Sequence, residues 1–186
     1  ETQHDRLLPA IKNLGGGYIG IGTEQNYNLI LQAKSSHAWL IDYNPNASLI
    51  HLMYRAMYLE AKDTKGFLSL IDDNNLVPLN ALIKKYYAGE IEKLLLEVLP
   101  ILVKDLKRRL EYLQGVEGEY YFLKSEVNFN SIKKMYAENK IAIMTATNTD
   151  EKSFNKIIAS AKELKVPIEL YYLSNSHQHN YVDDLK

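Results

Sequence analysis

Between Gly15 and Asp42 the chain reads GGGYIGIGTEQNYNLILQAKSSHAWLID, and this stretch narrows the fold more than any other. Tyr18 to Ile21 suit a strand, Gly20 and Gly22 a tight turn, Glu24 to Lys34 a helix, and Ala38 to Ile41 a second strand that closes on Asp42. A strand, turn, helix and strand in this order form a parallel βαβ unit with a right-handed crossover. Glycines let backbone approach a ligand where a Cβ would collide, and the free N–H groups at the helix start attract anions. An acid after the second strand can accept hydrogen bonds from ribose hydroxyls. Asp42 lies 20 residues beyond Gly22, the spacing of the dinucleotide fingerprint. Any βαβ unit needs a tight turn at this place, so a nucleotide site and a purely structural turn both stay open.

The glycine spacing refines the choice. A G-x-G-x-x-G match at Gly15, Gly17 and Gly20 precedes and enters the strand instead of following it, so it is accidental. In the pattern that begins at Gly20 and Gly22 the third position is Gln25, which removes the close helix–strand packing of a strict NAD site. A looser G-x-G turn with an acid after the second strand is the usual layout of the S-adenosylmethionine site in class I methyltransferases. In that reading Gly20 and Gly22 bound the methionine end, Asp42 holds the ribose, and Thr145 to Asp150 border the acceptor. Gln25 and Asn26 fall in the first helical turn, beside such a ligand or as exposed amides.

The segments YIGIGTEQN, WLIDYNPNASLIHLMYRAMYLEA and YYLSNSHQH together resemble a family of uncharacterised bacterial proteins with a class I S-adenosylmethionine-dependent methyltransferase-like (Rossmann-type) fold. The resemblance runs from about Tyr18 to His179. It implies the fold, and it implies no particular reaction.

Taken in order, the chain opens with a short helix around Leu7 to Leu14 that the glycine run ends. Thr23 is placed to cap the first long helix with its hydroxyl. The apolar run Ala38 to Ile41 suits a strand covered on both faces. Pro45 starts a helix through Lys62, on which Ser48, His51 and Arg55 share one polar face that the spacing predicts to be solvated. Lys65 to Gln114 is helical with interruptions: Phe67 to Ile71, a loop at Asp72 to Asn75, Leu79 to Tyr87, and Glu90 to Gln114, the last with Ile91, Leu95, Leu99, Leu102, Leu106, Leu110 and Leu113 recurring inward at threes and fours and a kink at Pro100. Glu119 to Leu123 suits a short strand, Ile141 to Ala146 and Pro167 to Leu173 the last two, with a helix from Phe154 to Leu164 between them. The fold class is therefore α/β: a three-layer, Rossmann-like parallel sheet in one domain spanning 1–186, with a helical insertion (about 65–114) in place of the usual third strand.

Composition limits the alternatives. With 186 residues, 46% hydrophobic, a single domain with a full core is expected. A net charge of −1 gives no electrostatic case for nucleic acid, and Lys104, Lys107, Arg108 and Arg109, interleaved with Asp105 and Glu111, read as a solvated helix face. The absence of cysteine removes disulfides and thiolate chemistry. The most apolar run, Leu94 to Val103, contains Glu97 and Pro100 and is too short to span a bilayer. His177 and His179 with Asp183 and Asp184 offer no preformed metal geometry, so no metal is expected. There is no G-x-S-x-G elbow and no P-loop lysine. The chain begins on Glu1, which fits either a truncated or a signal-cleaved start; a methyltransferase would be cytoplasmic, an exported module periplasmic.

Three readings follow: a methyltransferase-like enzyme with S-adenosylmethionine or a related nucleoside as ligand, a non-catalytic and exported binding module, and an oligomerisation scaffold built on the helical insertion. The first predicts a cleft lined by Gly20, Gly22, Gln25, Asp42, Asn44, Thr147 and Ser174, with His51 and Arg55 at its rim.

Overall fold

The computed structural model describes residues 7–147 and 149–174. Its elements run α1 (Leu7–Ala10), β1 (Gly17–Ile21), α2 (Gln25–Ala33), β2 (His37–Asp42), α3 (Pro45–Glu60), α4 (Thr64–Ser69), α5 (Val77–Tyr86), α6 (Gly89–Glu117), a 3-10 turn (Gly118–Tyr120), α7 (Glu126–Ala137), β3 (Ile141–Thr145), α8 (Glu151–Leu164) and β4 (Ile168–Tyr172). The four strands form one parallel sheet in the order β3-β2-β1-β4. The four expected strands are thus present, parallel and in one sheet, with the βαβ unit at its centre.

Alternation along the strands divides the core. Tyr18, Ala38 and Leu40 face the larger apolar cluster, which includes Leu29 and Ile30 of α2, Met53 and Met57 of α3, and Ile132 of α7. Ile19, Ile21, Trp39 and Ile41 face the other way and pack on Ile157 and Ala161 of α8. Each buried leucine, isoleucine or methionine among them contributes roughly 1.5–3 kcal/mol. Helices therefore cover both faces, as the continuous apolar run of β2 requires. The connections from β1 to β2 to β3 step one way along the sheet; the connection from β3 through α8 returns across it to β4.

Between β2 and β3 the chain runs through helices α3 to α7 and their connecting turns, with no strand among the described residues, and α6 continues through Pro100. Its leucines from Leu95 to Leu113 pack into the larger cluster, as the periodicity predicts, whereas Ile91 in the first turn stays exposed. Two other local expectations fail. The segment from Glu119 to Leu123 is not a strand: a 3-10 turn leads into Tyr121, Phe122 and Leu123, which are buried under the helices, and the Asn28 side chain takes the Phe122 N–H at 2.7 Å. Aromatic content signalled burial there, but the burial is against helices and not within the sheet. Thr23 does not cap α2 either. Glu24 occupies the cap position without a side-chain cap bond, and the Thr23 hydroxyl accepts from Arg109 at 3.1 Å.

Candidate functional site

The glycine turn is held by residues from three elements. The pairing of Gly20 with Tyr172 sets the ends of β1 and β4 side by side, so two residues further on Gly22 and Ser174 lie abreast. Gly22 has φ +99°, a left-handed conformation that favours glycine, and a Cβ there would run into the Gln25 side-chain amide and approach the Ser174 hydroxyl at 3.7 Å. Ser174 itself has φ 54°. Gly22, Gln25 and Ser174 are therefore brought together, on the seam between β1 and β4.

Gly20 has a different neighbourhood. The space beside it is filled by the Asn26 carboxamide and the Tyr18 hydroxyl, so its missing side chain makes room for the protein's own buried hydrogen bond from Tyr18 to Asn26. Asn26 is fully buried and also donates to the Thr23 carbonyl at 2.9 Å. The exposed-amide reading of Asn26 is thereby corrected: it stitches β1 to the start of α2.

His51 reverses another expectation. The polar face of α3 is turned inward: His51 is 1% exposed and Ser48 is buried, while Arg55 is half-buried. His51 Nε2 meets the Gly22 carbonyl oxygen at 2.9 Å, and Nδ1 meets the Tyr27 hydroxyl at 2.8 Å, which in turn meets the Tyr136 hydroxyl at 2.7 Å. A carbonyl only accepts, so Nε2 carries the proton. Burial lowers the His51 pKa to about 4, opposed by the Gly22 carbonyl bond, so at neutral pH Nδ1 is bare and Tyr27 must donate to it. The direction of the whole chain is then fixed: Tyr136 donates to Tyr27, Tyr27 to His51, and His51 to Gly22. His51 lies behind the turn and holds it, instead of standing at the rim of a cleft.

Asp42 ends β2 beside Ile21 and Gly22 through the pairing of Ile21 with Ile41. One of its oxygens accepts from the Asn44 N–H at 2.8 Å, and Asn44 caps α3 by accepting from the Asn46 N–H at 3.0 Å, with Pro45 in the first helical position. Asp42 stays half-exposed, and a carboxylate retains acceptor capacity beyond one such bond. Across the next seam, Thr145 pairs in register with Asp42 and bonds Ser48 at 2.9 Å. Thr147 lies beyond it, bonded to Thr149 at 3.2 Å. Thr147 follows one edge strand and Ser174 the other, so three inter-strand spacings, about 14 Å, separate the two ends of the row. The residues form a row along the carboxyl edge, closest around Gly22.

A charged group that the sequence reading left out stands at the same edge. Glu24, 1% exposed, follows the turn directly. Burial raises its pKa, while Thr23, Arg109 and Tyr54 pull it back. Tyr54 donates to it at 3.3 Å and the Arg109 guanidinium lies 3.7 Å away. Arg109 also donates to Asp105 at 2.6 Å. The basic cluster of α6 is thus not uniformly solvated: Arg108 and Lys107 are, whereas Arg109 reaches from the helical layer onto the turn. The only signal in the sequence was an acid placed immediately after the glycines. Among the described residues no group of three or more His, Cys, Asp or Glu side chains is arranged to hold a metal ion, and His177, His179, Asp183 and Asp184 lie outside them. No helix among the described residues is long and apolar enough to cross a membrane.

Fold and site together define an α/β protein with an all-parallel sheet and a braced glycine turn at its carboxyl edge. The family model for a domain of unknown function (DUF7790) matches residues 1–184, and the chain belongs to that family. No curated protein matches the sequence.

Proposed function

We propose that the carboxyl edge of the sheet binds a nucleoside-type ligand of the adenosine class, with S-adenosylmethionine as the first candidate, in a Rossmann-like arrangement. The observation that carries this reading is topological. The connections reverse direction between β1 and β4, and open parallel sheets bind ligands outside the carboxyl ends at such a point. Gly22, Gln25 and Ser174 converge at that seam, and the Asp42 carboxylate ends the neighbouring strand. In the proposed complex the ligand crosses Gly22, Gln25 and Ser174 contact its polar groups, and Asp42 accepts from the ribose hydroxyls. Asn44 flanks the acid, and Thr147 belongs to the acceptor side. Methyl transfer depends mainly on positioning, so it requires no acid–base pair at the turn.

A second reading, a binding module without chemistry, is favoured by one observation. Two titratable groups at the turn are committed to structure: His51 is buried and neutral, and Glu24 sits behind Arg109. Thermal shift with S-adenosylmethionine, S-adenosylhomocysteine and nicotinamide nucleotides tests the first reading, because a ligand at a hundredfold excess over its Kd stabilises the folded state by about 2.7 kcal/mol. Stabilisation by the adenosine compounds supports a nucleoside site, and a methyl-transfer assay then separates enzyme from module. No shift with any adenosine compound overturns the proposal.

A further inference from the structure

Helix α6 has an apolar sector wider than the face it buries. Leu95, Leu99, Leu102, Leu106, Leu110 and Leu113 point into the core. Beside them a second line runs along the helix: Ile91 (44% exposed), Leu94 (41%), half-buried Val98, and Ile101 (75%). The line continues at the same alternating spacing of three and four through Asp105, Arg108, Tyr112 and Gly115, which is the a/d pattern of a coiled-coil seam. Over 29 residues the helix is about 44 Å long, enough for several heptads.

We propose that this outer line is a homodimer interface in which α6 packs antiparallel against α6 of a second copy of the chain. What identifies the occupant is self-complementarity. A two-fold axis crossing the helix between residues 106 and 107 sets Asp105, which binds Arg108 and Arg109 of its own helix at 2.6 Å, against the second copy's Arg108, so the two Asp105–Arg108 pairs come together as a four-membered network of alternating charge. The same register places Ile101 against Tyr112 and Val98 against Gly115. In a two-fold interface each contact between positions i and j recurs as j and i, and the layers from Val98 to Gly115 pair in this way, whereas Ile91 and Leu94 reach past the end of the second copy's α6.

Gly115 is the second, independent sign. It lies within α6 with open space around the position of a Cβ, so nothing in its own fold calls for glycine there. A glycine inside a helix costs about 1 kcal/mol relative to alanine. In the proposed pair it makes room for Val98 of the second copy. Apolar burial by Val98, Ile101 and Tyr112 supplies the affinity; the exposed charges fix register and orientation, since such pairs are worth at most about 1 kcal/mol each. A net charge of −1 sets no long-range repulsion against self-association.

Sedimentation velocity of the full chain over a concentration series tests the proposal, together with cross-linking that exploits the absence of native cysteine. The wild type is expected to dimerise. Ile101→Glu, at a side chain mostly in solvent, should weaken association at least about 100-fold with an unchanged circular dichroism spectrum, and Arg108→Asp, which sets acid against acid, roughly tenfold. Val98→Cys and Gly115→Cys variants mixed in equal amounts should form a disulfide-linked pair on mild oxidation. Neither variant alone should do so, because like positions sit about 25 Å apart in this register, far beyond disulfide reach. A wild type that stays monomeric at all concentrations overturns the proposal. So does a dimer that Ile101→Glu and Arg108→Asp leave intact, or cross-linking that is equally efficient in the single variants.

Discussion

His51 Nε2 donates to the carbonyl of Gly22 across 2.9 Å, so a helix that follows β2 fixes the backbone of the turn that follows β1. The bond ends a directional chain that begins at Tyr136. Removing the imidazole leaves the Gly22 carbonyl and the Tyr27 hydroxyl without this partner in a buried place, where each lost bond costs about 1–3 kcal/mol. His51→Ala is therefore expected to lose about 2–4 kcal/mol, measured by urea denaturation. A loss of under about 0.5 kcal/mol, the range of ordinary surface substitutions, would show that the chain is not structural.

Acid stability follows from the same residue. The folded-state pKa of His51, about 4, lies below the ordinary value of 6.5, so the unfolded chain binds the proton more readily. Stability from this group is complete above pH 6.5 and is lost as pH falls toward 4, by up to about 3 kcal/mol. Glu24 acts in the opposite sense, since its raised pKa favours the folded state as it takes up a proton. The His51 contribution is isolated by subtracting the unfolding profile of His51→Gln from that of the wild type. The difference should slope between pH 6.5 and 4 and be flat above 7; a flat difference throughout would refute the buried neutral imidazole.

The two turn glycines should respond differently to alanine. At Gly20 a methyl group meets the Tyr18 hydroxyl at 2.5 Å and overlaps the Asn26 amide, both immobilised in the core. Gly20→Ala is expected to cost about 3 kcal/mol through overpacking. At Gly22 the obstruction is the end of the Gln25 side chain, which can swing away, and the remaining penalty is the positive φ, about 1–3 kcal/mol. Adding Gln25→Ala to Gly22→Ala should recover only part of the loss, whereas no change at residue 25 should help Gly20→Ala. Thermal unfolding of the two single variants, and of each combined with Gln25→Ala, decides between these outcomes.

The sheet was legible because its signals are local and strong. Alternating glycine turns and apolar runs mark β1 and β2, and α6 declares itself by leucine spacing. The missed features depend on tertiary context. The Ser48, His51 and Arg55 face looks solvated in isolation, yet α2 brings Tyr27, itself bonded to Tyr136 of α7, against His51 and turns its polarity inward. Thr23 has the right chemistry and position for a cap, but Arg109, 86 residues away, claims its hydroxyl. Of the site residues, Gly22, Gln25, Ser174 and Asp42 gather near one seam because strand ends align there. Thr147 follows an edge strand, and strand order cannot be read from a single sequence.

If an adenosine-type ligand binds at that seam, Asp42→Ala should weaken it by about 1–3 kcal/mol through loss of a charged acceptor. Asp42→Asn keeps one acceptor oxygen for the Asn44 N–H, so it should preserve the turn and lose affinity only. Calorimetry on both variants, read beside their unfolding midpoints, tests this. Equal binding by wild type and Asp42→Ala would remove Asp42 from the site.

The last prediction concerns the tie between the helical layer and the turn. Glu24 is buried and Arg109 is its nearest cation, at 3.7 Å and partly open to solvent. Removing the cation leaves a carboxylate in an apolar surround with the Tyr54 and Thr23 hydroxyls beside it, which costs more than the exposed pairs on the same helix. Arg109→Met is expected to destabilise by about 1–3 kcal/mol at neutral pH, the penalty of a buried group left unpaired. Because Glu24, whose pKa burial already raises, can relieve that penalty by taking a proton, the loss should shrink as pH falls from neutrality. Glu24→Gln removes the charge without emptying the site, so the double variant Glu24→Gln with Arg109→Met should be more stable at neutral pH than Arg109→Met alone. A double-mutant cycle of urea midpoints at pH 7 and pH 5 measures the coupling. Additive effects at both pH values would mean that Arg109 holds α6 to the turn through Thr23 alone, and that the Glu24 charge has no part in it.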